Sequence, residues 1–600
     1  MTTLALSRRF PLAIAFAALA VTACEPSDDT DEADPGTGTT SGTEAGSEGR
    51  SDGDSTGAQG QCQTLSFEDF EGSPVFPTGC YRIDLLVAKS DGTVTFEAGA
   101  EVGFGPNAGL NIFDSAGLIA AGTAEDPVVF AGQVQDRGSW QGIGISSRGP
   151  DNQLVNLLLS DAGGAGAALV LANGRVALDA VTIQDNAGFG LIADDASEIA
   201  MENCVVTANE QLMQIGLEAV EAVEGSNSLV GNDEDILHAE GSSLEDAVWT
   251  VSEVPVHPSA ELTVNGAWTL MPGVTVAMRQ NAAITVRSTA TISAEGSAEA
   301  PVTFTGQVAE PGYWKGLTVE STSPSNGLTY TRLEYGGSSP WTGDSGSAGL
   351  VFLGDGGKLR IEDSVLSHSA SAALRARAGA DIEGFVGNTI ENNAETLALQ
   401  VDLVGDVAAS NAFVDNAESF VRVQRPNSPN NRLITPQSWS ALEVPYRITY
   451  VVSIEAPLTL EAGTTVQFGQ GEWVEISGDG TFTAEGTADA PVTFEGGEAL
   501  AGYWKGLHFQ TVAKNNVLSN VTIRHAGESP WSGDPESVAA IYLGALQIDG
   551  SIEIVDSTLT DNDGNGLFVR QGSTAACTNV SIDVSAPWSA SAGPGTSTCG

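Results

Sequence analysis

One line recurs three times along this chain and limits what it can fold into. "GTADAPVTFEG" at 486–496 matches "GTAEDPVVFAG" at 122–132 and "GSAEAPVTFTG" at 296–306. A shared line precedes each copy: "TVTFEAGAEVGF" at 93–104, "AWTLMPGVTVAM" at 267–278 and "PLTLEAGTTVQF" at 457–468. A Trp cluster follows each: "RGSWQGIGIS" at 137–146, "PGYWKGLTVE" at 311–320 and "AGYWKGLHFQ" at 501–510. Phe130, Phe304 and Phe494 mark equivalent points. Repetition of this kind signals a stacked architecture in which each unit buries its neighbour.

Inside each repeat runs a shorter period. Apolar and polar residues alternate over four to six positions, the pattern of a strand with one face inside. Leu169 aligns with Leu191, Val176 with Ile199, Val351 with Leu374 and Leu359 with Ile382. The steps of 22 or 23 residues hold three short strands and three turns, too few for a propeller blade or a sandwich. The expectation is an all-β chain, a right-handed parallel β-helix, with coils ~4.8 Å apart and a stack on the order of 110 Å long. In "TIQDNAGFGLIA", "CVVTANEQLM", "NTIENNAE" and "TLTDNDGNGLFV" an Asn follows each strand, and Asn is expected to take the left-handed corner. The segments expected are a leader over 1–23, a tether over 24–61, and three β-helix units over 62–253, 254–443 and 444–600.

Charge and the N-terminus bear on location. The chain carries −53 with only 24 Lys and Arg, which excludes nucleic acid as a partner. Arg8 and Arg9 precede an apolar run that ends in "VTAC" at Cys24, the layout of an export signal. Residues 25–61 hold ten acidic side chains and one Arg among Gly, Ser and Thr, a composition that forms no core. Setting aside the two positive charges of the leader and the nine net negative ones of the tether leaves −46 on the body. The leader resembles a bacterial lipoprotein signal, in which the Cys carries lipid. That resemblance implies lipidation of Cys24, a membrane anchored through it, and a cell-envelope location.

The repeated line resembles that of right-handed parallel β-helix repeat lipoproteins of large-genome Gram-negative bacteria, of the myxobacterial kind, over about 65–600. The resemblance implies a fold and a surface or periplasmic address, and no agreed reaction.

Several residues invite a functional reading. "SSPWTGDSGS" and "ESPWSGDPES" place Trp341 and Trp531 27 residues after the cluster Trp in the second and third repeats, where the first has only "SDAGGAGA". Trp341 with Asp344, and Trp531 with Asp534, are candidate ligand contacts, since Trp beside a carboxylate stacks on sugar rings or anchors a protein partner. The loops are expected on one face, roughly 40 Å apart. Trp140, Trp314 and Trp504 are expected to fold over their own loops as structure. Cys62 with Cys80 and Cys577 with Cys599 bracket the two ends of the body and are expected to form disulfides, leaving Cys204 buried and free. "DNDGNGLFVRQG" has acidic residues at calcium-loop spacing but Gly572 where Glu is required, so a corner is expected and no metal or other cofactor. His238, His257, His368, His508 and His525 show no ligand spacing and are expected to be solvated.

Two functions follow from different classes. One is an anchored binding, adhesion or scaffold protein for glycans or protein partners. The alternative is a polysaccharide lyase, hydrolase or epimerase, since β-helices host such chemistry. Lys and Arg are scarce for a lyase base, and the Asn-Thr-Asp, Gly-His-Gly and Asp-Pro-His-Glu strings of β-helix hydrolases and epimerases do not occur. The expectation is a protein that is not an enzyme.

Overall fold

The computed structural model describes residues 62–149, 151–223, 225–382, 384–424, 431–584 and 591–599. Cys24, the leader and the tether lie outside them. Residues 60–600 form one compact unit, a parallel β-helix: every named strand pairs in parallel with the strand one coil away. The pairings expected from the 22–23 residue step are present, with Leu169 opposite Leu191, Val176 opposite Ile199 and Val351 opposite Leu374. Leu359 follows Lys358, which bridges Asp381 just before Ile382.

Parallel stacking follows from the alternation. Residues such as Ile143 and Ile145, Leu317 and Val319, and Leu507 and Phe509 point inward and are no more than 1% exposed, while their neighbours face out. One core runs from Leu65 to Ala575 without interruption. Each fully buried Leu, Ile or Phe contributes about 1.5–3 kcal/mol. The three long repeats therefore share a single core.

Among the described residues seven sheets form the walls, named here by one strand each: A (Val128–Gly132), B (Arg175–Asp179), C (Gly142–Ile145), D (Gly316–Val319), E (Thr291–Glu295), F (Gly506–Thr511) and G (Phe482–Glu485). Coils of the first repeat run through C, B and A, those of the second through C, D and E, and those of the third through D, F and G. Sheets C and D, of 14 strands each, bridge successive repeats. The Phe-bearing strands Val128–Gly132, Val302–Gly306 and Val492–Gly496 lie in A, C and D. The strands after the cluster Trp, Gly142–Ile145, Gly316–Val319 and Gly506–Thr511, lie in C, D and F. From Gly142–Ile145 to Val302–Gly306 is seven steps along C, and from Gly316–Val319 to Val492–Gly496 is seven steps along D. Each long repeat thus spans seven coils and one further strand. Equivalent features turn by one face from repeat to repeat.

The corners correct one expectation. In the quoted turns the left-handed residue is the one before the Asn at Asp185, Ala208 and Asp561, while in "NTIENNAE" Asn392 takes it as expected and Asn393 follows, all with φ between 53° and 55°; Asp415 before Asn416 follows suit at 50°. The Asn that follows turns inward and ladders between coils. Asn186 Nδ2 donates to Asn209 Oδ1 at 2.8 Å, Asn209 Nδ2 to Asn232 Oδ1 at 2.9 Å, and Asn393 Nδ2 to Asn416 Oδ1 at 3.0 Å. These side chains satisfy backbone groups that the bend removes from the sheets. Asp561 and Asn562 fit this pattern: Asn562 Oδ1 accepts from the Ala526 N–H at 2.8 Å. "DNDG" is therefore a corner.

Cysteine placement agrees with expectation. Gln63 pairs with Tyr81 and Ala575 with Ser597, which sets Cys62 beside Cys80 and Cys577 beside Cys599 on adjacent coils. Both pairs are disulfides, with Cα atoms 4.6 and 5.1 Å apart. Each ties a terminal coil to the next one in. Cys204 is free and buried. Its amide donates to Asn227 at 2.8 Å and its thiol to the Glu202 carbonyl at 3.2 Å, the position Ser364 and Ser557 hold elsewhere. Burial pushes its pKa up to about 11.

Candidate functional site

Both Trp sets lie on the same corners, and their surroundings separate structure from surface. Trp140, Trp314 and Trp504 are fully buried. Each indole N–H donates to a carbonyl 20 residues on, Ser160, Glu334 and Arg524, at 2.7–2.8 Å. Trp140 stacks on Phe104 at 3.9 Å and Trp504 on Phe468 at 3.8 Å; Met278 stands at the equivalent place in the second repeat. Gly142 follows Trp140 because a Cβ there would come within 2.6 Å of the Ala168 carbonyl, at φ 102°. These clusters plug the corner, as expected.

The added loops at 341–348 and 531–538 are copies down to individual bonds. Trp341 Nε1 donates to the Gly349 carbonyl at 2.9 Å and Trp531 Nε1 to that of Ala539 at 3.0 Å. Asp344 caps a short helical turn by accepting from the Gly346 N–H, and Asp534 does so from Glu536, both at 3.0 Å. Lys315 Nζ lies 4.8 Å from the Trp341 ring and Lys505 Nζ 4.8 Å from the Trp531 ring. The first repeat, which lacks the loop, has Gln141 at the lysine's place. The recurring "WKG" is explained by this cation–π contact.

The loops do not share a face. Trp341 precedes Gly349–Leu353 of sheet D and Trp531 precedes Ala539–Leu543 of sheet F, because each repeat turns by one strand. Along the axis they are about 35 Å apart, seven and a third coils of ~4.8 Å. Neither Trp is fully exposed. Both are half-buried, whereas Asp344 and Asp534 are exposed at the loop tips.

The histidines also depart from expectation, since none of the five is exposed. His508 does point outward, between Leu507 and Phe509, but Trp531 at 5.1 Å and Tyr542 at 5.2 Å cover it. Burial pulls its pKa down to about 4. His257, packed against His238 with rings 6.0 Å apart, is also lowered to about 4 by burial and then by that neighbour. His368 and His525 occupy left-handed corners. Among the described residues no group of three or more His, Cys, Asp or Glu is placed to hold a metal ion.

Two different environments flank the copied loops. Around Trp531, the outward side chains of successive F strands are His508, Tyr542 and Phe568 in one column. Tyr542 and Phe568 stack at 5.3 Å and Trp531 lies on Tyr542 at 5.8 Å, closing an apolar patch. Around Trp341, the corresponding D column reads Phe352, Arg375, Ala398, Arg422 and Arg447. That column borders a cleft of about 330 Å3. Sequence spacing does not group these arginines, because they lie 25–72 residues apart and only the coil register brings them together. Comparison with known protein families, curated proteins and solved structures finds no match to the chain.

Proposed function

We propose that the protein is a lipid-anchored β-helix of the bacterial cell envelope that acts as a binding scaffold for glycans or protein partners, akin to the β-helix repeat lipoproteins its repeated line resembles. The observation that carries this reading is a copied, internally bonded loop added to two corners of one β-helix with a continuous core, one copy opening on a polar cleft. A parallel β-helix holds such loops at fixed spacing, since the coils beneath are packed to near-zero exposure. The lipoprotein-like "VTAC" ending in Cys24 and the acidic 25–61 segment support anchoring at a distance from a membrane.

Two experiments test it. Full chain screened against a glycan array and a panel of envelope proteins, with and without calcium, is expected to retain a ligand; retention of none overturns the binding reading. Cys24→Ala is expected to move the chain from the membrane to the soluble fraction, and unchanged membrane association with no lipid by mass spectrometry overturns the anchor.

A further inference from the structure

The body carries −46, yet four of its few cations converge beside the Trp341 loop. Arg375, Arg377 and Arg422 line the cleft together with Gln400, Gln424 and Thr449. The geometry follows from register. Arg375 and Arg422 occupy the outward column of sheet D two coils apart, with Ala398 between them. Ala398 is small enough for Arg375 to lie across that coil: its Nη1 donates to Gln424 Oε1 at 2.8 Å and its Nε to the Ala348 carbonyl at 2.8 Å. Arg377, Gln400, Gln424 and Thr449 each come one place after the paired residues Ala376, Leu399, Val423 and Ile448. They form a second column along the cleft. Arg447 flanks it, its guanidinium 3.9 Å from the Phe420 ring and bonded to Gln467 Oε1 at 2.6 Å.

Acidic partners offset this charge. Glu395 accepts from Arg375 at 3.0 Å and lies 3.6 Å from Arg422, and Glu418 pairs with Arg422. Asp344 at the rim is engaged by the Gly346 amide. Three guanidinium groups line the cleft with the Asp344 carboxylate, and Glu395 and Glu418 stand against them, so the site is close to neutral on a strongly negative body. The Arg375 side chain is only 8% exposed; burial lowers its pKa, Glu395 opposes that and Arg422 adds to it. A half-compensated, desolvated guanidinium gains from a further anion. The larger hollow, about 870 Å3 beside residues 217–222, has the opposite character, with Glu198, Glu218, Glu221 and Glu240 on its wall.

We propose that this cleft binds the carboxylate of a small hydroxylated acid, a sugar acid free or at the end of a glycan, with Arg422 and Arg377 on the carboxylate and Gln400, Gln424 and Thr449 on the hydroxyls. Three features select that ligand. Guanidinium forks match carboxylates in pairs, amides and a hydroxyl supply donors and acceptors for ring hydroxyls, and the volume suits a small molecule. A long polyanion is disfavoured, since beyond the cleft it would meet the −46 body. The inference rests on the binding reading above and specifies one site within it.

The test is titration calorimetry of the full chain with glucuronate, its methyl glycoside as a chain-end mimic, glucose and sulfate. Glucuronate is expected to bind, more weakly as salt rises, while glucose and sulfate bind at least tenfold more weakly. Binding of the methyl glycoside places the ligand at a glycan end; its exclusion assigns the free acid. Arg422→Gln and Arg377→Gln are each expected to weaken glucuronate about tenfold or more without moving the melting temperature, and the distant exposed Lys514→Gln is expected to change nothing. Equal binding of glucose or of sulfate, or glucuronate binding untouched by both arginine variants, overturns the site. Should the array find a ligand that Arg422→Gln still binds while glucuronate fails, this inference falls and the scaffold reading stands.

Discussion

The two added loops share a sequence pattern, a cap, an indole hydrogen bond and a lysine lid, yet they sit in unlike neighbourhoods. In the second repeat the next coils place Arg375 and Arg422 outward; in the third, the coil after Tyr542 brings Phe568. The first copy borders an open polar cleft and the second is sealed by aromatic rings. A duplicated motif on a solenoid therefore has no fixed role. The side chains one or two coils away decide whether it frames a site or caps a wall.

The largest effect separates both loops from the corner plugs. Trp504→Ala removes a fully buried ring that stacks on Phe468 and is expected to cost about 3–5 kcal/mol in denaturant unfolding. Trp531→Ala is expected to cost about 1–3 kcal/mol, because the ring is half-buried but covers Tyr542 and His508. Trp341→Ala, with only Phe352 stacked against it at 6.1 Å, should cost less than Trp531→Ala. A larger loss for Trp341 than for Trp531 would break the comparison.

Next in size are the ladders both repeats depend on. Asn209→Ala leaves the Asn186 amide and its own turn without partners and is expected to destabilise by about 1–3 kcal/mol. The strand pairings of this framework were legible in the 22–23 residue step, and so were the disulfides and the buried cluster Trp residues, because alternation and repetition express coil stacking directly. The roles at the corners were not. Asn at a turn suggests a left-handed backbone, and only the structure shows that Asp185 or Ala208 takes that strain while the Asn turns inward. The single-face expectation for the loops failed for a related reason: spacing along the chain gives the number of coils and conceals the extra strand that rotates each repeat. The arginine cleft was invisible because its members come from different coils.

The pH response sharpens the contrast further. His508, under the second loop, has its folded pKa lowered to about 4 from 6.5. A lowered histidine binds its proton more readily in the unfolded chain, so its contribution is full above about 6.5 and is lost as pH falls toward 4. For a shift of this size the effect is at most about 3 kcal/mol. Wild type minus His508→Gln, compared by melting temperature at each pH, should shrink across that window; a constant difference would show that His508 is not sealed. The smallest effect is expected from Lys315→Met and Lys505→Met, under about 1 kcal/mol each, with the second accompanied by greater quenching of Trp531 fluorescence by iodide.

The central claim is that the wall beside the second loop is structural while the cleft beside the first loop binds ligand. Paired measurement of glucuronate affinity and melting temperature on Trp531→Ala and Arg422→Gln tests it most directly. The account predicts a lower melting temperature with unchanged affinity for Trp531→Ala, and at least tenfold weaker affinity with an unchanged melting temperature for Arg422→Gln. Loss of affinity at unchanged stability in Trp531→Ala, with Arg422→Gln binding as the wild type does, would contradict it.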